Sequence, residues 1–207
     1  MAIPLALWGM AVDRRRLRRT AGVRFAKLLG TGKSARFGAG SAELTRWAAL
    51  VVGAPDAPVP ARGAVARCTL TLQPIASRGS WAGQEPFGPP RPPPRDAPVL
   101  VLTRARLRAR RALTFWRAIE PVGRTLRGQP GLLAAFGIGE APLGFQGTIS
   151  IWRGAADVAR FAYRQPEHTT VIARTPHERW YAEELFARFH VLDVTGDRGV
   201  IGWKESP

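Results

Sequence analysis

The sequence predicts an α+β fold: tandem duplicated ferredoxin-like halves that pair as in a dimeric α+β barrel, with an incomplete N-terminal half. Three observations predict it. Two similar segments recur about a hundred residues apart. The second half reads β-α-β-β-α-β. A stretch with seven prolines in thirteen residues, Pro86–Pro98, separates the halves. The expected organisation is residues 1–85 as the first half, 86–98 as a linker and 99–207 as the second half. The linker is read as an extended, semi-rigid spacer.

The repeat comes first. At an offset of 109 residues Leu17, Arg18, Gly22, Ala26 and Gly30 match Leu126, Arg127, Gly131, Ala135 and Gly139. Each segment then reaches an apolar run ending in Gly-Ala-x-Asp, at Asp56 and at Asp157. Matches of Gly and Ala are cheap in this composition, so the shared order of elements carries more weight than identity.

The second half is read in full. Val99–Thr103 is a short apolar strand. From Ala112, Leu113, Trp116, Ile119 and Leu126 follow a helical period, with Pro121 inside it and Gly131 ending it. Strands over Leu132–Gly137 and Thr148–Trp152 follow, then a short helix over Asp157–Tyr163. Thr175-Pro176-His177-Glu178 is a capping box that opens a further helix, with Tyr181, Leu185, Phe186 and Phe189 as its apolar stripe. His190–Val194 closes as a strand. In the first half the corresponding first strand falls about ten residues before Met1 and is expected to be missing, leaving Ile3–Thr20 as the first helix. Between Asp56 and the strand Cys68–Ile75 only a short Pro/Gly/Ala loop remains.

Composition narrows the function. Seven Trp and nine Phe belong to a globular chain, and one cysteine, Cys68, excludes an internal disulfide or a multi-cysteine metal site. The net charge of +16 comes mostly from arginine. It suits an anionic partner, but "DRRRLRR" and "RARLRARR" are read as solvated helix faces, and no nucleic acid is expected. No segment approaches the ~20 apolar residues of a membrane span. A cytoplasmic protein is expected, with peripheral membrane contact, an electron-donor protein and a homo-oligomer left open as partners.

Familiar catalytic motifs fail on inspection. "GTGKS" (Gly30–Ser34) lacks the first glycine of a phosphate-binding loop, because Lys27 stands there. No Gly-x-Ser-x-Gly and no His-Glu-x-x-His is present. Glu183 and Glu184 are adjacent and do not form a carboxylate pair. All three histidines lie between His168 and His190. His177 falls in the exposed first turn of the expected helix, and His190 suits an edge or core role. His168 has the most apolar setting and suits the axial position of a haem iron, with Arg160, Arg164 and Arg174 near enough in sequence for its propionates. A lone histidine is more often structural than a ligand, so both readings stand.

Six blocks carry a family resemblance: Gly22–Gly32, Arg78–Gly88, Val101–Arg108, Phe115–Val122, Gly137–Pro142 and His168–Phe189. In this order, over nearly the whole chain, they resemble the spheroidene monooxygenase family. The resemblance implies oxygenation of an acyclic, apolar carotenoid-like substrate to a ketone, dependent on haem, O2 and external electrons. It implies His168 as the iron (metal) ligand, with Arg164 and Lys27 as further cofactor contacts. The departures, a missing strand and a shortened loop before Cys68, bear on the substrate. A haem or apolar-ligand binding protein without turnover, and a cofactor-free oxygenase of the same barrel type, are the competing readings.

Overall fold

The computed structural model describes residues 13, 15–32, 42–54, 57, 59, 63–92, 97–140, 145–164 and 180–204. Seven strands and two α-helices follow in the order β1 (Phe25–Gly32), β2 (Ala42–Val52), β3 (Cys68–Gly79), β4 (Val99–Leu107), α1 (Ala112–Arg127), β5 (Leu132–Gly139), β6 (Phe145–Trp152), α2 (Ala155–Arg164) and β7 (Tyr181–Gly196). Residues 15–18 are helical, within the expected first helix. Short 3-10 turns occupy Ala109–Arg111 and Arg198–Ile201.

All seven strands join one antiparallel sheet in the order β2-β1-β5-β6-β4-β7-β3. The segment β5-β6-β4-β7, with its helices after β4 and β6, is the complete ferredoxin-like unit. There β4 pairs with β6 on one side and β7 on the other. In the first half β1 and β2 correspond to β5 and β6, and β3 corresponds to β7. The counterpart of β4 would lie between β2 and β3, and among the described residues no strand stands there.

The duplication survives in backbone detail. Gly30 pairs with Gly139, its own counterpart in the repeat. Gly22 and Gly131, also counterparts, share a left-handed conformation, at φ 79° and 80°. At Gly131 the reason for glycine is direct, since a Cβ there would lie 2.3 Å from the Asp157 carboxylate.

Strand alternation sorts the residues to two faces. On β4, Leu100 and Leu102 enter an inner core with Phe25, Leu29, Phe136 and Leu185. Val101, Ala105 and Leu107 face the helices instead, where Phe115, Val122, Leu126, Trp152 and Trp180 pack. Each fully buried Leu or Phe contributes ~1.5–3 kcal/mol through burial. The sheet curls over its inner face. Arg46 of β2 donates from Nη1 to the Val200 carbonyl (3.0 Å), and the Lys204 amide donates to the Leu133 carbonyl (2.7 Å).

Four expectations change. Tyr181–Phe189 is not a helix but the first part of β7, which continues through the expected closing strand. A spacing of four satisfies both periods: Leu185 and Phe189 fall on one helix stripe and equally on the inner strand face, whereas Tyr181, beyond a register shift, packs with the helix-side cluster. Pairing on both sides, with β4 and β3, decided for the strand. "RARLRARR" is likewise no solvated helix face, since its first four residues complete β4 and Arg104 is 4% exposed. Helix α1 ends at Gly128, whose amide bonds back to the Thr125 carbonyl, and Gly131 instead precedes β5. The proline-rich stretch is more than a spacer at its start, where Phe87 is buried and packs edge-on against Phe189 at 4.8 Å. The capping box 175–178 lies outside the described residues.

Candidate functional site

The inner face holds four charges at one place. Alternation puts them there: Lys27 shares its face with Phe25 and Leu29, Arg104 with Leu100 and Leu102, and Glu183 with Leu185. Glu140 follows the last residue of β5. Lys27 donates from Nζ to Glu140 Oε2 at 2.8 Å, and Arg104 donates from Nη2 to Glu140 Oε1 at 3.0 Å. The other guanidinium nitrogen of Arg104, Nη1, pairs with Glu183 Oε2. Lys27 is 3% exposed, so both cations are buried and both are paired.

A tight turn closes over this network. Trp81 and Gln84 form a bridge around Ala82 and Gly83, whose φ angles of 57° and 71° are those of a two-residue hairpin turn. Glu183 Oε1 holds the turn by accepting from the Gly83 amide (2.9 Å) and the Ser80 hydroxyl (3.1 Å). Trp81 is wholly buried and donates from Nε1 to Glu140 Oε1. Its ring lies 5.5 Å from Lys27 Nζ and 5.4 Å from Arg104 Cζ, within cation–π range.

Electrostatics keep both carboxylates ionised. Burial pushes Glu140 up, but hydrogen bonds from Lys27 and Trp81 and the charges of Lys27 and Arg104 outweigh it and hold it below the usual range. Glu183 is also pushed up by burial, yet the amides of Gly83 and Ala82 and the Arg104 guanidinium bring it down to about 2. Carboxylates so stabilised are poor proton acceptors at neutral pH. The network therefore fixes the turn and the local field rather than shuttling protons. The adjoining cleft, lined by Leu29, Trp81, Arg104, Ile138, Gly139, Glu140 and Gly147, is small and open to solvent. Pockets for cofactor-sized ligands run to roughly 300–1,000 Å³. This cleft does not fit a haem: it is too small, and the cations of the network beside it are already matched by carboxylates.

The predicted site residues are not gathered here. Lys27 joins the network and reaches an anionic ligand only by releasing Glu140. Arg164 is the last residue of α2. His168 and His177 lie outside the described residues. His190 is buried in β7 beside Val99 and Gln73, with neither ring nitrogen hydrogen-bonded, and burial lowers its pKa. Cys68 begins β3 half-buried against the inner core, and burial raises its thiol pKa. Among the described residues no group of three or more His, Cys, Asp or Glu is placed to hold a metal ion, and no helix is long and apolar enough to cross a membrane.

Sequence reading missed Arg104, Glu140, Glu183 and Trp81. One signal was available: a charge at the parity of its apolar neighbours, as in Leu100-x-Leu102-x-Arg104 or Phe25-x-Lys27-x-Leu29. Five of the six family-like blocks feed the network. Gly22–Gly32 supplies Lys27, Arg78–Gly88 supplies Ser80 and Trp81, and Val101–Arg108 supplies Arg104. Gly137–Pro142 supplies Glu140 and His168–Phe189 supplies Glu183.

No family model matches the chain. It is 32% identical over 212 residues to a spheroidene monooxygenase of Rhodobacter capsulatus, covering 94% of this chain and 86% of that protein. A spheroidene monooxygenase of Rubrivivax gelatinosus is 33% identical over 187 residues, covering 84% and 71%. A ferredoxin fold protein from Listeria monocytogenes, related to antibiotic biosynthesis monooxygenases, aligns over 88% of both chains at 12% identity with a TM-score of 0.39.

Proposed function

Because the chain belongs to the spheroidene monooxygenase family, we propose that it is a haem-dependent monooxygenase that inserts oxygen from O2 into an apolar, carotenoid-like substrate. The observation that carries the reading is the 32% identity sustained over 94% of the chain. Haem held by His168 would supply O2 binding and activation. Each oxygenation consumes one O2 and two external electrons, leaving a hydroxyl group on carbon and releasing water. A second oxygenation at the same carbon gives a geminal diol, which loses water to become a ketone.

The chain's own residues contribute order and exclusion. The ion-paired network pins the 80–84 turn, and Trp81 seals the inner face with its ring. His168 follows α2 by four residues in sequence.

The test is a visible spectrum after haem reconstitution, beside His168→Ala, with reductant-dependent O2 uptake on an acyclic carotenoid. The expected result is a Soret band lost in the variant, and uptake that requires substrate. A band without uptake identifies a binding protein. No band at all sinks the haem mechanism and favours a cofactor-free oxygenase.

A further inference from the structure

His190 is 5% exposed, yet neither Nδ1 nor Nε2 has a hydrogen-bond partner. A ring buried in this way costs stability while neutral and far more once charged. The proline-rich stretch wraps the sheet at this point. Phe87 packs on Phe189 from the inner face at 4.8 Å. The Arg91 amide then donates to the Pro74 carbonyl of β3 at 3.0 Å, and Gln73 donates from Nε2 to the Pro92 carbonyl at 2.9 Å. Gln73, His190 and Val99 stand opposite one another on β3, β7 and β4, so their side chains share the outer face. Pro92 therefore lies on the face that His190 occupies. The Val191 amide holds the Pro98 carbonyl at 2.8 Å, where the chain enters β4. Since β3 ends the sheet, the stretch passes from the inner face round β3 to the His190 face and is tied down on both sides of that ring.

We propose that His190 is a pH-sensitive latch for this proline-rich strap, closed over the neutral ring and released when the ring takes a proton. The elements packed on the ring supply no partner for that proton. Gln73 spends its amide on Pro92, Thr71 lies farther along β3, and β4 presents Val99 and Val101. The charged groups on this side are Arg188 and Asp193 of β7 and Arg91 of the strap, all exposed and none bonded to the ring. Asp96 lies outside the described residues. Burial lowers the pKa of His190, whereas a solvated histidine titrates near about 6.5. The closed strap therefore binds fewer protons than the open one, and it loses ground as pH falls below about 6.5. The inference stands on these residues and holds whatever reaction the protein performs.

The experiment is hydrogen exchange of the full-length protein, read by mass spectrometry at about pH 7.5 and about pH 5.5 and corrected for the intrinsic rate. Acid is expected to speed exchange several-fold over residues 87–98 and at Val191, with α1 unchanged. In His190→Phe, which fills the space without a titrating group, that local acceleration is expected to disappear. The same acceleration in His190→Phe, or a uniform one over the whole chain, would overturn the latch. A second measurement needs no change at this position. The imidazoles of the parent are titrated by NMR, with His168→Gln and His177→Gln assigning the other two histidines. His190 is expected to titrate below about 6.5, the value of a free histidine, and a value at or above it would overturn the proposal.

Discussion

Leu102 and Arg104 stand two residues apart on β4, face the same inner surface and are 2% and 4% exposed. Their neighbourhoods differ in kind. Leu102 sits among Leu, Phe and Ile side chains, where burial and close packing supply the stabilisation. Arg104 bridges two carboxylates from β7 and the end of β5, beneath the Trp81 ring. An apolar site of this kind accepts other apolar side chains of similar volume. The charged site accepts only one that leaves no ion unmatched, because an unpaired charge in low dielectric costs more than a lost contact.

The same substitution at both positions breaks this comparison most directly. Leu102→Met conserves volume and is expected to cost less than about 1.5 kcal/mol. Arg104→Met strands Glu140 against Lys27 alone and leaves Glu183 without its cation, for an expected loss of about 3–5 kcal/mol. Chemical denaturation of the two variants measures both, and equal losses would mean that the pairing contributes little.

A second, smaller effect separates the two kinds of core by pH. Glu183 titrates at about 2 in the folded chain and near 4.3 when unfolded. Between those values the unfolded chain binds more protons. The stability Glu183 contributes is therefore present above about pH 4.3 and is lost as pH falls toward 2. Glu140, also held low, adds in the same direction. Glu183→Gln is expected to be less stable at neutral pH and to show a shallower decline below pH ~4, whereas Leu102→Met should keep the parental slope. Parallel acid titrations of all three proteins would show whether the slopes differ.

The smallest expected effect concerns the turn that the network holds. Ala82 keeps a left-handed φ of 57°, a conformation that costs a non-glycine residue about 1 kcal/mol. Ala82→Gly should relieve that strain and raise stability by up to about 1 kcal/mol, read as an upward shift of the denaturation midpoint. A lowered midpoint would show that the Ala82 methyl group, not the Glu183 anchor, positions the turn.

Much of the fold was legible before any coordinates. The strands near Val99, Leu132 and Thr148, both helices of the second half and the duplicated glycines Gly22 and Gly131 follow from local period and repeat. Tyr181–Phe189 was not, because its apolar spacing of four fits a helix and a strand equally well. Only the neighbours β3 and β4 on either side could choose. The network was illegible for a different reason: Lys27 and Glu140 are 113 residues apart, and Arg104 and Glu183 are 79 apart. No local pattern links such residues.

The sequence by itself determined which segments form strands by alternation, where the chain repeats, and which blocks resemble a known family. The tertiary structure alone decided that five of those blocks meet at one buried set of charges. Local propensity acts over a few residues along the chain, whereas the pairing of a buried cation with its carboxylate is set by distance in space. Strand order in the sheet brings those side chains within 3.0 Å of one another.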